Sequence, residues 1–315
     1  MSAILILSAG RRVSLVRAFR AAADERRVLA ADMAPRMSAA CHVADAAFML
    51  PHCLDREYPD ALEALCREQQ VALVVPTIDT ELAGLAALRE RFAAFGCTLV
   101  VSDSDFVAAC RDKVRTAAHF AALDVASPDI YPVDALRFPA LSKPIDGSLS
   151  KDVEVLRSLA DLQPRHRDNP RLMFARYLDH AVHEEFTCDA YYDAAHVLRC
   201  VVPRRRIEVR GGEVSKARAE KNDLLGLFAD KLAHLPGARG CLTIQFMRHR
   251  DTGEAWLIEC NPRFGGGYPL TAAAGAHYHR WLIEEYLEGE SIASFDGWND
   301  GRTMLRYDGE VLLDT

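Results

Sequence analysis

The sequence lacks long apolar runs, an excess of positive charge and paired cysteines. No apolar run approaches the roughly 18 residues that a membrane-spanning helix requires, so we expect no membrane partner. The formal net charge of −7 leaves no electrostatic footprint for nucleic acid or for an anionic membrane. The nine cysteines include no Cys-x-x-Cys pair, which disfavours a zinc or redox motif and favours buried thiols. A signal peptide carries its charges before its apolar run. Here Arg11 and Arg12 come after the short apolar run at the N-terminus, so we expect a cytoplasmic protein.

Two glycine-rich nucleotide-binding motifs are also missing. The segment after the first apolar run, Ser8-Ala9-Gly10, has a single glycine and is therefore not the dinucleotide fingerprint Gly-x-Gly-x-x-Gly. Lys143 precedes the loop at residues 146–151 instead of following it, so this loop is not a Walker A motif. Any nucleotide site must be built from other residues.

Short apolar runs alternate with helical patterns over the first 110 residues or so. Residues 3–7 and 71–75 are continuous apolar runs typical of buried parallel strands, and residues 13–23 keep helical spacing. The alternation predicts an α/β fold that opens with a parallel sheet covered by helices on both faces. Strands predominate after residue 172, and we expect a helix at residues 153–162 and a polar loop at residues 163–170. The last 25 residues carry little information.

The strongest chemical signal is a predicted hairpin with strands at residues 242–248 and 255–259. Glu259 and Asn261 are two residues apart on an extended chain and so point to the same side, and Gln245 lies on the partner strand. These three oxygen ligands suit Mg²⁺, which would complete its shell with water and nucleotide phosphates. Arg263 would bring positive charge to a phosphoryl group, and the glycines that follow it would let a ligand approach the backbone. The pattern also fits a plain hairpin followed by a glycine turn.

Four weaker signals have ordinary structural alternatives. Lys143 and Ser148 could cradle a phosphate, although a common turn explains the segment equally well. Glu185, at the start of a strand, could bind a ribose or simply be solvated. The arginines at 204–206, which we expect to interrupt a strand, could gather anions or protect a sheet edge. Asp79 follows a strand end and could hold a substrate amino group, or cap a helix.

In this order, the elements resemble the ATP-grasp superfamily, most closely the branch of carbamoyl-phosphate synthase large-subunit domains and the pyrrolysine-pathway ligase. The resemblance rests on Asp112-Lys113, on Ser142-Lys143-Pro144 and on the stretch from Gln245 to residues 259–267. It implies a preATP-grasp domain at residues 1–111 and a two-subdomain α+β ATP-grasp fold at residues 112–290. The lid subdomain would lie at about 115–180 and the tail at residues 291–315.

The resemblance also implies roles for single residues. Lys113 and Lys143 would contact ATP phosphates together with Ser148, and Glu185 would bind the ribose. Gln245, Glu259 and Asn261 would hold Mg²⁺, with Mn²⁺ as an alternative ion. The implied adenine-binding hinge comprises Phe174, Ala175, Tyr177 and Leu178, and the implied catalytic residue is Arg263. The residues themselves, apart from the resemblance, lead us to predict a catalytic role for Lys216 and substrate-binding roles for Arg204, Gly265, Gly266 and Asp79.

The lid loop departs from the family pattern at Leu149 and Asp152, where glycines are usual, and this predicts altered lid closure. We expect an ATP-dependent carboxylate–amine ligase that acts on small molecules through an acyl phosphate. The alternatives are phosphorylation of bicarbonate or carbamate, and a nucleotide-binding regulator without activity. The resemblance allows a homodimer, because members of the family often dimerise.

Overall fold

The computed structural model describes residues 2–147 and 152–313. Ser148 and Leu149, which the sequence places in a phosphate-binding lid loop, lie outside the described residues. None of the helices in the described part of the chain has the length and apolar character needed to cross a bilayer.

The N-terminal part of the chain forms a parallel sheet with the strand order β3-β2-β1-β4-β5. This confirms the fold class predicted from the alternation of apolar runs. The elements are β1 (Ala3–Ile6), α1 (Val13–Ala22), β2 (Arg27–Asp32), β3 (Ala46–Met49), α2 (Tyr58–Glu68), β4 (Val71–Val75), α3 (Asp79–Ala93), β5 (Thr98–Leu99) and α4 (Ser104–Arg111).

A small antiparallel sheet with the order β6-β9-β7-β8 follows. Its elements are α5 (Lys113–Ala121), β6 (Ile130–Tyr131), β7 (Ala140–Pro144), β8 (Glu154–Leu156), α6 (Pro164–Asp168) and β9 (Leu172–Arg176).

The third sheet is antiparallel and has the order β14-β13-β10-β11-β12-β15. Its elements are β10 (His183–Tyr192), β11 (Leu198–Arg210), β12 (Glu213–Ala219), α7 (Leu224–Lys231), β13 (Gly240–His249), β14 (Ala255–Asn261), α8 (Tyr268–Ala273), α9 (Tyr278–Leu287) and β15 (Thr303–Leu305).

Several local predictions were wrong. The expected helix at 153–162 is the strand β8 followed by a short 3₁₀ turn, because Glu154 to Leu156 complete the hydrogen-bond ladder of β7. The expected polar loop at 163–170 contains α6, which has Pro164 at its first position. The arginines at 204–206 do not interrupt a strand, since β11 runs through them to Arg210. The tail also carries structure, because β15 pairs with β12.

The N-terminal domain packs directly on the segment that follows β14. Phe19 of α1 lies edge-on to Phe264, with 6.0 Å between the ring centroids, and it also meets His279. Phe264 in turn packs on Tyr268, and all three aromatic side chains are buried in one apolar cluster. Burial of this apolar surface stabilises the contact and holds the loops after β1 and β4 against the end of β14.

A buried ion pair fastens the middle of the third sheet. Asp189 of β10 accepts two hydrogen bonds from Arg204 of β11, at 2.8 and 2.9 Å, and both side chains are almost fully buried. Asp189 also accepts hydrogen bonds from Thr243 of β13 and from Thr271 of α8. Arg204 is therefore part of a core ion pair, and this placement gives no support to its predicted role in substrate binding.

We expect the substitution Arg204→Met to lower the free energy of unfolding by about 3–5 kcal/mol, because it leaves the buried Asp189 carboxylate without its cation. Urea denaturation would measure this change. The control is Arg210→Met, which removes an exposed ion pair with Asp308 and should cost less than about 1 kcal/mol. Equal losses for the two variants would contradict the structural role of Arg204.

Candidate active site

The hairpin predicted from the sequence is present, and it brings the three candidate metal ligands together. In the antiparallel register of β13 and β14, Gln245 stands directly opposite Glu259, and Thr243 stands opposite Asn261. The Glu259 Oε1 atom lies 2.6 Å from the Asn261 side-chain nitrogen and 3.4 Å from that of Gln245. A half-turn of either amide would direct its oxygen to the same point as the carboxylate.

This donor set fits a hard cation that shares its coordination shell with a nucleotide. Glu259 contributes one negative charge, and Gln245 and Asn261 contribute neutral oxygens. Among residues 2–147 and 152–313, no group of three His, Cys, Asp or Glu side chains could hold a metal by itself. An ion at this site would therefore rely on phosphate oxygens as well as on the protein, as Mg²⁺ commonly does.

Two lysines converge on the same carboxylate. Lys113, at the first position of α5, lies 3.4 Å from Glu259 Oε2 and donates a hydrogen bond to the Gly147 carbonyl. Lys143, on β7, is buried, and burial together with the neighbouring Lys113 lowers its pKa to about 8. Two cations this close to one carboxylate leave net positive charge, which an anionic ligand would neutralise.

A cavity of about 240 Å³ opens between the small sheet and the third sheet. One wall is formed by the end of β9 and the segment that follows it, with Ala175, Tyr177 and Leu178, which are three of the residues proposed for the adenine-binding hinge. Phe174 does not reach the cavity, because strand alternation turns its ring to the buried side, against His166. Within the described residues, neither the Tyr177 carbonyl nor the Leu178 N–H makes a backbone hydrogen bond, so both remain available to a ligand.

The same cavity reaches the two lysines and the hairpin. Its lining includes Lys113, Lys143, Gln245 and Glu259. Glu185 of β10 also lines it and forms an ion pair at 3.2 Å with Arg206 of β11. Sequence reasoning did not single out Arg206, although strand parity could have done so. Arg204 and Arg206 point to the same face of β11, and only Arg206 lies far enough along the strand to reach the cavity.

Arg263 links the hairpin to the N-terminal domain. It lies two residues beyond Asn261, and its guanidinium donates a hydrogen bond of 2.6 Å to the Asp79 carboxylate. Burial alone would lower the pKa of Arg263, but the negative charges of Asp79 and Glu259 raise it above the usual value. Asp79 is the first residue of α3 and not its cap, which is Ile78, so the alternative of a helix cap was wrong.

Two glycines of the segment 265–267 are required by the protein's own packing. A Cβ atom on Gly265 would lie 2.7 Å from Thr243 Oγ1, and one on Gly267 would lie 2.0 Å from Arg204 Nη1. Gly266 differs, because the nearest atoms to its Cβ position are 3.7 Å away and belong to Arg12 and Glu213. Of the two glycines predicted to meet a substrate, only Gly266 has space beside it.

Lys216 is not brought into the cavity. On β12 it neighbours Ala217, which is buried and pairs with Arg206. Because adjacent strand residues point to opposite faces, Lys216 projects away from the cavity, where it forms a half-exposed ion pair with Glu208. The catalytic role predicted for Lys216 has no support in this placement.

Family models match two parts of the chain. The model described as PylC-like, N-terminal domain, matches residues 4–100. The model described as ATP-grasp in the biosynthetic pathway with Ter operon matches residues 168–302. Acetyl-CoA carboxylase 2 from Oryza sativa subsp. japonica is 30% identical over 112 residues, which are 35% of this chain and 4% of the relative. The chain therefore spans only a small part of this curated relative.

Solved structures share the fold over most of the chain. N5-carboxyaminoimidazole synthetase from Staphylococcus aureus, complexed with ADP, has a TM-score of 0.75 at 14% identity, covering 93% of this chain and 79% of that one. L-amino acid ligase from Bacillus licheniformis has a TM-score of 0.73 at 15% identity, covering 96% and 78%.

The biotin carboxylase domain of 2-oxoglutarate carboxylase from Hydrogenobacter thermophilus was solved with MgADP, ADP and bicarbonate. Its TM-score is 0.72 at 16% identity, covering 92% of this chain and 70% of that one. Together with the two family-model matches, these likenesses confirm the resemblance that the sequence motifs indicated. The chain carries a PylC-like N-terminal domain and an ATP-grasp domain.

Proposed function

We propose that the protein is an ATP-dependent carboxylate–amine ligase that binds ATP with Mg²⁺. The observation that carries the proposal is the convergence of Lys113, Lys143 and the set Gln245, Glu259 and Asn261 at one end of a cavity. The other end is formed by the hinge segment with its free backbone groups. Base, ribose and phosphates would lie in sequence along this cavity, from Leu178 past Glu185 to the lysines.

The chemistry proposed has two steps. A carboxylate oxygen of one substrate attacks the γ-phosphorus, and the bond from this phosphorus to the β–γ bridging oxygen breaks. The products are an acyl phosphate and ADP, which leaves. An amine then attacks the acyl carbon, loses a proton, and expels phosphate to leave an amide. Mg²⁺, when bound, would neutralise charge on the phosphate oxygens.

The protein contributes mainly position and charge to these steps. Lys113 and Lys143 would hold the phosphates, and Arg263 would stabilise negative charge on the transferred group. No side-chain nucleophile is needed, because the substrate carboxylate and then the amine attack in turn. Exclusion of water from the closed cavity would protect the acyl phosphate from hydrolysis.

A second candidate is phosphorylation of bicarbonate, and the sequence match to acetyl-CoA carboxylase 2 favours it. An ADP-release screen that compares bicarbonate with pairs of carboxylates and amines would separate the two reactions. Bicarbonate-dependent release that no amine increases would overturn the carboxylate–amine proposal.

We expect Glu259→Gln to lower substrate-dependent ADP release by at least about 100-fold, because the only carboxylate of the proposed metal set is lost. Steady-state assays at saturating Mg²⁺ would measure this. The matched control is Glu254→Gln, an exposed position in the turn of the same hairpin, which should keep full activity. Unchanged turnover in the Glu259 variant would overturn the metal-site assignment.

The depressed pKa of Lys143 predicts that ATP binding weakens as the pH rises. At pH 7 a lysine with a pKa of about 8 is mostly charged, and at pH 9 it is mostly neutral, so the Kd for ATP should rise by up to about tenfold. Calorimetric titration with ATP at both pH values would test this. Lys143→Arg, which stays charged, should flatten the dependence; an equally steep dependence in that variant would assign the titration to another group.

A further inference from the structure

Arg12 is a partly buried cation with no carboxylate at ion-pair distance among the described residues. It lies at the start of α1, and its described hydrogen bond runs from Nη2 to the Thr77 carbonyl at 3.2 Å. No carboxylate oxygen among the described residues comes within 4.0 Å of its guanidinium, whereas Arg11, Arg263 and Arg306 each have one. Burial and the nearby charge of Arg263 lower its pKa to about 10, which still leaves Arg12 charged at neutral pH. A buried cation of this kind gains free energy when an anion binds beside it.

The space beside Gly266 is bounded by charges of both signs. A methyl group on Gly266 would lie 3.7 Å from Arg12 Nη1 and also 3.7 Å from Glu213 Cδ and Oε2. Arg306, which follows β15 in the tail, pairs with Glu213 at 2.9 Å and also donates to the Gly266 carbonyl. The tail therefore holds Glu213 in place at the edge of this space.

The loop that carries Arg12 and the loop that carries Thr77, its hydrogen-bond acceptor, are tied together by hydrogen bonds. Thr77 donates to the carbonyls of Leu7 and Ser8, which ties the end of β4 to the end of β1. The buried Glu81 accepts hydrogen bonds from Ser8 Oγ and from the Thr77 N–H, both at 2.7 Å. Arg12 is thus presented by a preorganised backbone, which lowers the cost of binding a ligand.

We infer that this space binds one of the two organic substrates, and that this substrate is a free amino acid whose carboxylate meets Arg12 and whose ammonium meets Glu213. The inference rests on the proposed ligase function and adds the substrate class. A guanidinium and a carboxylate that both border the space at Gly266 match a zwitterion, whereas a simple carboxylate would satisfy only Arg12 and a simple amine only Glu213.

The position relative to the proposed phosphoryl-transfer site agrees with this assignment. Arg263 is flanked by Glu259, in the metal set, and by Asp79 at the start of α3. Its charge also lowers the pKa of Arg12, so the guanidinium of Arg263 lies near Arg12 as well as near Asp79. A substrate held over Gly266 would therefore adjoin Arg263, the residue assigned to the transferred phosphoryl group.

The first test measures binding and needs no turnover. The full-length protein with MgADP would be titrated calorimetrically with the twenty standard amino acids and their D forms, and then with the decarboxylated amine and the N-acetyl derivative of any that bind. We expect at least one free amino acid to bind, with both derivatives at least about tenfold weaker. A panel without binders, or an amine that binds as tightly as its amino acid, would overturn the inference.

The second test uses variants of the cluster. Arg12→Ala and Glu213→Gln should each weaken amino acid binding by at least about tenfold and leave the affinity for MgADP unchanged. The control Arg17→Ala, an exposed position of the same helix, should bind like the wild type. Unchanged binding by the Arg12 and Glu213 variants would overturn the assignment.

A third pair of variants guards against misfolding of the charge variants. Gly266→Ala should block the space, because its new methyl group would lie 3.7 Å from both Arg12 and Glu213, while Gly84→Ala on α3 meets no atom within 4 Å. Only Gly266→Ala should lose amino acid binding. If an amino acid binds as expected but no substrate pair releases ADP, the ligase proposal fails and the binding site stands. If ADP release depends on substrates that are not amino acids, the inference fails and the ligase proposal stands.

Discussion

The buried pair of Asp189 and Arg204 is the contact on which the arrangement of the site depends. Asp189 receives hydrogen bonds from β11, β13 and α8, so one carboxylate fixes three elements beneath the floor of the cavity. The guanidinium of Arg204 lies so close to Gly267 that no side chain fits there. Thr243, bound to the same carboxylate, stands opposite Asn261 and excludes a side chain at position 265. The backbone conformation of the turn after the hairpin is therefore set by packing against a core ion pair and not by a ligand.

Positive charge is concentrated at the cavity, although the whole protein carries a formal net charge of −7. Lys113 forms an ion pair with Glu259, and the charge of Glu259 also acts to raise the pKa of Lys143 and of Arg263. Arg263 in addition pairs with Asp79. Concentrated cations in a partly dry space repel one another and tolerate burial only with compensation. The proposed polyphosphate and carboxylate ligands would supply that compensation, so the repulsion in the free protein would become binding energy in the complex. This follows from local charges and would not be visible in the overall acidity of the chain.

The sequence could predict those features that depend on short-range periodicity. The two-residue spacing of Glu259 and Asn261, with Gln245 on the partner strand, was enough to place three candidate ligands at one point. Features that depend on partners distant in the chain could not be predicted. Nothing in the local sequence tells that Arg204 meets Asp189 in the core, and the residues on either side of Lys216 do not reveal which face of β12 is buried. The short strands β6, β8 and β15 were missed because their stability comes from the neighbouring ladder and not from their own composition.

The division of roles among elements suggests how specificity and chemistry can be separated in this fold. Residues that would handle the nucleotide stand on strands of the two antiparallel sheets and on α5, where backbone ladders and the Asp189 pair fix them. The residues that border the space over Gly266 come from three other places. Arg12 lies in a loop of the parallel sheet, Glu213 lies at the start of β12, and Arg306 lies in the tail. A substitution in the second group changes the charge facing a substrate without breaking a ladder or a buried pair. Because exposed and half-exposed pairs contribute little to stability, the acceptor side can vary at low cost while the nucleotide side stays constant.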